Sequence, residues 1–229
     1  AAGERRLTMD ESLENTLKNY KPGGFILFSE NLDSIPQTVS LIRDIQKSAK
    51  IPLFIGIDEE GGVISRLNKA KKLHSTVMPE PYAIGSTGHE EYAFQAAQAI
   101  AEEIRSLGFN LDFAPIADVF SNPDNKVIGR RAYSSDGLIA SGMVAEAVKG
   151  MGQGAVIPVL KHFPGHGDTL EDSHTGAAVI NNDLDRLRSV EFLPFKAGIE
   201  AGAEMIMTAH ILTPRITENG LPATLSQPI

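Results

Sequence analysis

The sequence predicts an α/β protein built as a (β/α)8 TIM-type barrel. Three observations carry that reading: short apolar runs alternate with amphipathic helical stretches, polar or charged residues follow the ends of several different runs, and no glycine-rich phosphate motif is present. Strand–helix alternation implies right-handed βαβ units in a parallel sheet. A barrel, unlike an open sheet, gathers its functional residues from many βα loops at one face. The 229 residues approach the roughly 250 of one such barrel. No linker, internal repeat or low-complexity stretch divides them, so residues 1–229 read as one domain.

Five runs read as strands: Gly24–Phe28, Pro52–Ile57, Asn110–Pro115, Ala155–Leu160 and Glu204–Thr208. None alternates apolar with polar, as expected where helices cover both faces of a parallel sheet. Between them, Gln37–Ser48 places Leu41, Ile42 and Ile45 on one helical face. Glu90–Leu107 does the same with Ala93, Ala96, Ala97, Ile100, Ile104 and Leu107, and Gly108 offers a C-cap. Leu138–Met151 and Leu187–Ala201 complete the series, with Asp183 and Asp185 as candidate caps of the last. A doubly wound nucleotide fold would place G-x-G-x-x-G after its first strand. Gly61–Gly62, after the second run, does not fit that motif. Instead Asp58 follows the second run, Asp118 the third, Lys161 and His162 the fourth, and His210 the fifth. The barrel is the better reading, although five strands fall short of eight.

Bulk composition narrows the function. Hydrophobic residues make up 42% and charged residues 22%, ordinary for a globular protein. No apolar stretch approaches the ~20 residues of a membrane span. The net charge of −8 argues against nucleic acid or an anionic membrane as partner. Absence of cysteine excludes disulfides, thiolate metal sites and a cysteine nucleophile.

The densest chemistry lies in Lys161–Gly176, K-H-F-P-G-H-G-D-T-L-E-D-S-H-T-G, which holds three of the six histidines. Pro164, Gly165 and Gly167 break any helix there, so the segment is a loop leaving a strand end. Asp172 and His174 stand two apart, close enough for the carboxylate to orient the imidazole and leave its other nitrogen to move a proton. A polar loop held by its own hydrogen bonds is the plainer alternative. A zinc site from His162, His166, Asp172 and His174 is another, but H-x-x-x-H spans a Pro-Gly turn and lacks the shared helical face of a chelate. A lysine-imine aldolase using Lys161 is weaker still.

K-H-F-P-G-H-G, then four residues, then D-S-H resembles the signature of glycoside hydrolase family 3 β-N-acetylglucosaminidases, which in bacteria trim N-acetylglucosamine from cell-wall fragments. The resemblance runs in order along the chain through G-G-F-I-L-F at Gly23–Phe28, I-D-E-E-G-G at Ile57–Gly62, N-L-D-F-A-P at Asn110–Pro115, I-G-R-R-A-Y at Ile128–Tyr133 and M-T-A-H at Met207–His210. It implies a retaining, two-step mechanism in which an aspartate forms a covalent glycosyl-enzyme. His174 would serve as acid and then base with Asp172 as its orienting partner. Asp58, Arg66, Arg131, Lys161 and His162 would bind the sugar. Neither metal nor cofactor is implied, and the partners would be N-acetylglucosamine-containing glycans. The compartment stays open between bacterial cytoplasm and cell wall.

The family nucleophile, an aspartate in a V-x-x-S-D context beyond M-T-A-H, has no counterpart after His210. The expectation is therefore an incomplete barrel in which the five strands match the second to sixth of eight. An open barrel exposes two sheet edges, so the chain alone is expected to be unstable or oligomeric and to lack normal turnover. Were it active, Asp118 would be the first substitute nucleophile to test. A non-catalytic sugar-binding protein is the reading of a different class.

Overall fold

The computed structural model describes residues 5–70, 72–170, 178–217 and 220–227. Its main sheet has five strands: β1 (Gly24–Ile26), β2 (Phe54–Ile57), β3 (Leu111–Asp112), β4 (Ile157–Phe163) and β5 (Met205–Thr208). They lie in chain order and every adjacent pair is parallel. An order without reversal is that of a barrel wall, not of a doubly wound sheet with its switch point. The sheet curls into a half-barrel.

All five expected strands are present, with shifted boundaries. The third shrinks to Leu111–Asp112 and resumes as a single bridge between Ile116 and Lys161, because Pro115 has no N–H to give a ladder. The fourth starts later and runs further: Ala155 adopts φ 58° and turns the chain, while pairing continues to Phe163 opposite Thr208. Lys161 and His162 are thus strand residues, not the first residues past the strand.

Helix α1 (Glu11–Tyr20) starts where the Asp10 side chain accepts from the Leu13 N–H. Helix α2 (Ile35–Ser48) starts earlier than expected, because Ser34 caps it and Pro36 suits its first turn. Helix α3 spans Glu90–Leu107 as the periodicity predicts, ending at Gly108 with φ 106°. Helix α4 (Gly137–Gln153) is capped by Asp136. The last expected helix is present and begins earlier: helical chain runs without a gap from Leu184–Arg186 through a π-turn at Leu187–Glu191 into α5 (Phe192–Glu200). Pro194 accounts for the π-turn, since it has no N–H for the carbonyl one turn earlier. Asp183 caps this region by accepting from the Arg186 N–H, and Asp185 is left 97% exposed.

The core lies between sheet and helices, where Ile55, Ile57 and Leu160 are fully buried against the apolar faces of α2 to α5. α3 and α4 approach closely at Gly150, where a Cβ would stand 2.3 Å from the Phe94 carbonyl oxygen. By contrast Ile26, Phe54 and Ile206 remain exposed. No helix among the described residues is long and apolar enough to cross a membrane.

Beneath the strand ends lies a buried acid. Asp112 is fully buried; its Oδ1 accepts from the Glu59 N–H at 2.9 Å, and its Oδ2 has no hydrogen-bond partner among the described residues. Burial, reinforced by the nearby Glu59 and Asp58 charges, pushes its carboxyl well above the usual range. A folded-state pKa above the unfolded one means stability that is complete at acid pH and lost as pH rises through the folded value. Asp112→Asn keeps the Oδ1 acceptor and cannot ionise. Its melting temperature relative to the parent is therefore expected to climb as the pH rises above about 4, the ordinary carboxylate range. A difference that stays constant as the pH rises would show that Asp112 carries no such proton.

Candidate active site

The site grows from the C-terminal ends of β2 and β4. After β2 the chain stays extended through Glu59–Gly61 and folds back on Ile64–Ser65, with Gly61 and Gly62 at φ 83° and 55°. Residues two apart in extended chain face the same way, which brings Asp58 and Glu60 together towards Lys161. The Lys161 Nζ lies 2.8 Å from Asp58 Oδ1 and 2.6 Å from Glu60 Oε1. Arg131 grips Glu60 with two bonds of 2.8 Å, from Nε to Oε2 and from Nη2 to Oε1. Arg66 Nη2 reaches Asp58 Oδ2 at 3.1 Å, and its guanidinium sits 5.5 Å from the centre of the Phe28 ring beyond β1.

The resulting chain runs Arg66–Asp58–Lys161–Glu60–Arg131. Two carboxylates face three cations, which leaves one positive charge in excess. Lys161 and Glu60 are each 2% exposed, whereas Arg66, Asp58 and Arg131 keep 19%, 17% and 16%. The network thus has a buried centre and a wetted rim. Burial alone would raise both acids; the Lys161 ammonium with Arg66 holds Asp58, and Lys161 with Arg131 holds Glu60, below the usual carboxylate range. One group of the network is left over: the Arg66 Nε is buried and has no hydrogen-bond partner among the described residues.

A second cluster lies on the other side of Lys161. Asp118 is wholly buried and accepts from His162 Nδ1 at 2.7 Å, from the His166 N–H at 2.7 Å and from the His162 N–H at 3.2 Å. Burial pushes its carboxyl up, but the adjoining His162 imidazole and these N–H donors hold it below the usual range. The Lys161–His162 and Phe163–Pro164 peptide bonds are cis.

Of the residues singled out from sequence, Asp58, Arg66, Arg131 and Lys161 form one connected network, and His162 stands next to it on β4. Asp172 and His174 lie outside the described residues. The segments that flank them are tied down. Asn125 Nδ2 donates to the His166 carbonyl at 2.7 Å, and Asn182 Nδ2 donates to Asp168 Oδ2 at 2.9 Å. Downstream, Ala178–Val179 pairs with Ile211–Leu212.

The structure bears on the substitute nucleophile and on the lysine alternative. Asp118 is unsuited as a substitute nucleophile, because it is fully buried and its oxygens are committed to His162 and His166. Lys161 Nζ is held between Asp58 and Glu60 at 2.8 and 2.6 Å, so both carboxylates would have to release it before it could attack a carbonyl, which leaves the imine reading the weaker one. The zinc alternative draws on Asp172 and His174, which lie outside the described residues; of its other two members, His162 Nδ1 meets Asp118 and His166 Nδ1 meets Thr169. Glu60 was not singled out from sequence at all. The signal for it was present in I-D-E-E: an acid two residues after Asp58 shares its side of an extended chain.

Comparison with known proteins covers nearly the whole chain. Residues 4–229 match the family described as glycosyl hydrolase family 3 N terminal domain. β-Hexosaminidase A of Pseudoalteromonas piscicida is 38% identical over 241 residues, an alignment spanning 97% of this chain and 40% of that protein. A glycoside hydrolase family 3 β-N-acetylglucosaminidase from Paenibacillus sp. str. FPU-7 superposes with a TM-score of 0.93 at 38% identity, over 98% of this chain and 43% of its own. NagZ from Neisseria gonorrhoeae, in complex with N-trifluoroacetyl-D-glucosamine, superposes with a TM-score of 0.88 at 27% identity, over 97% of this chain and 66% of its own. The chain therefore spans less than half the length of the first two.

Proposed function

Because the chain belongs to the glycosyl hydrolase family 3 N-terminal domain family, we propose that it carries the sugar-binding half of a β-N-acetylglucosaminidase active site. The observation that carries this reading is the Arg66–Asp58–Lys161–Glu60–Arg131 network at the strand ends. Charged groups held rigidly at the rim of a buried network recognise hydroxyls well, because a ligand lacking one leaves a buried charge short of a partner. In this reading Asp58 and Arg66 hold sugar hydroxyls at the β2 side, Lys161 and His162 at the β4 side, and Arg131 closes the rim. Glu60 acts from behind, by fixing Lys161 and Arg131. The unpartnered Arg66 Nε is a donor that a ligand oxygen would satisfy.

The reaction is hydrolysis of terminal β-linked N-acetylglucosamine, with peptidoglycan fragments as the natural substrate class. His174, oriented by Asp172, protonates the leaving oxygen and then removes a proton from the attacking water. The nucleophile is an aspartate other than those described at the strand ends, since Asp58 and Asp118 are each committed to cations or N–H donors. Residues 1–229 make up the larger part of one barrel domain.

Hydrolysis of an aryl N-acetyl-β-glucosaminide and of the matching aryl β-glucoside by the full-length natural protein tests this. The N-acetyl substrate is expected to be preferred at least about tenfold in kcat/KM, the scale of one well-made contact. Equal rates on the two would overturn the substrate assignment, and no activity on either would favour a sugar-binding protein.

A further inference from the structure

We infer that Asp118 is the positioning residue of this site: one carboxylate fixes the tautomer and direction of the His162 imidazole and also anchors the start of the loop at His166. This rests on the reading of His162 as a sugar-binding group. Asp118 itself touches no ligand, because it is 0% exposed while the His162 side chain keeps 14%.

The reasoning starts from what a carboxylate can do. Asp118 remains ionised, and an ionised carboxylate only accepts. The 2.7 Å contact at His162 Nδ1 therefore puts the ring proton on Nδ1. In the Nδ1–H tautomer that this contact selects, Nε2 is an acceptor, the role that meets a sugar hydroxyl. The orienting effect of a carboxylate on a functional histidine is general, but here the same carboxylate does a second job. Its Oδ1 also takes the His166 N–H at 2.7 Å, and His166 opens the turn in which its Nδ1 meets Thr169 Oγ1 at 2.7 Å and its carbonyl accepts from Asn125. Asp118 belongs to the segment after β3, and Ala117 N–H donates to the Lys161 carbonyl at 2.7 Å. The imidazole at the sugar site and the turn that follows β4 thus share one fixed point. A structural acid would need only the backbone bonds. The imidazole bond is the additional feature.

Asp118→Asn separates the two roles. The Asn Oδ1 still accepts from the His166 N–H, so the loop keeps its anchor. The Asn NH2 can only donate, so Nδ1 of His162 must become the acceptor and its proton must move to Nε2. Nε2 then changes from acceptor to donor. Two-bond 1H–15N spectra of the imidazoles, with His162→Gln identifying the resonance, read this directly. The parent protein is expected to show His162 as the Nδ1–H form, and Asp118→Asn the Nε2–H form. The dissociation constant of N-acetylglucosamine is expected to rise at least tenfold in Asp118→Asn, with no further rise in the double variant with His162→Gln. An Nε2–H form in the parent overturns the inference without any variant being needed. So does an Asp118→Asn protein that binds N-acetylglucosamine as the parent does. If the parent binds no N-acetylglucosamine, the substrate reading fails while the tautomer still decides the role of Asp118.

Discussion

Lys161→Met is expected to lower the melting temperature by roughly 10 °C and to abolish measurable sugar binding. Lys161 is the hub between Asp58 and Glu60, 2.8 and 2.6 Å from each, and is only 2% exposed. Methionine keeps much of the stem but removes the charge. Breaking a buried ion pair by removing one partner costs about 3–5 kcal/mol, because the remaining charge stays desolvated. For a domain of this size each kcal/mol shifts the midpoint by about 2–4 °C. Arg66 and Arg131 still hold the outer oxygens of the two acids, which limits the loss. The sign of the pH dependence follows from the same contacts. Asp58 and Glu60 are held below the usual carboxylate range in the parent, so the parent keeps their stabilisation above the unfolded pKa and loses it as pH falls through the lower, folded value. Without Lys161 that stabilisation shrinks, so the gap between variant and parent is expected to hold from pH 7 down to about 4, the ordinary carboxylate range, and to narrow as the pH is taken below it. Thermal melts across this range measure it. An unchanged midpoint at pH 7 would mean that the network is not a stabilising unit.

His174→Ala in the full-length natural protein is expected to reduce kcat by about 10²–10⁴, the usual worth of a general acid–base group. Binding of N-acetylglucosamine should stay within about threefold, because the residues proposed to hold the sugar are all elsewhere. The loss should be smaller for an aryl glycoside with an acidic phenol, which needs little protonation on leaving, than for a disaccharide. The flanks of the segment carrying His174 are fixed by Asn125, Asn182 and the Ala178–Val179 pairing, so a substitution between them should leave the strand-end network intact. Equal loss of binding and turnover would mark His174 as structural and return the acid–base role to another group.

Much of the fold was legible because its signals are local. Glu90–Leu107 has the spacing, the length and the terminal glycine of a helix, and the structure places it at those bounds. The five apolar runs all became strands, and their order followed from strand–helix alternation. What was not legible depends on contacts distant in sequence. Asp118 reads as one more acid after a strand; its role appears only once β3 and β4 are neighbours and 44 residues of separation collapse to 2.7 Å. Glu60 and Arg131, 71 residues apart, were separated in the same way, although the pairing of Asp58 with Glu60 on one side of the chain was within reach. The π-turn at Leu187–Glu191 hid behind a good apolar period, with Pro194 as the clue that outranked it.

The most direct test is a crystal structure of the protein with N-acetylglucosamine bound. Sugar hydroxyls are expected within hydrogen-bond distance of Asp58, Arg66, Lys161 and His162, with Arg131 at the rim and the anomeric carbon towards the segment that carries His174. A sugar seated elsewhere on the molecule, with the Arg66–Asp58–Lys161–Glu60–Arg131 network unvisited, would contradict the assignment of this face as the active site.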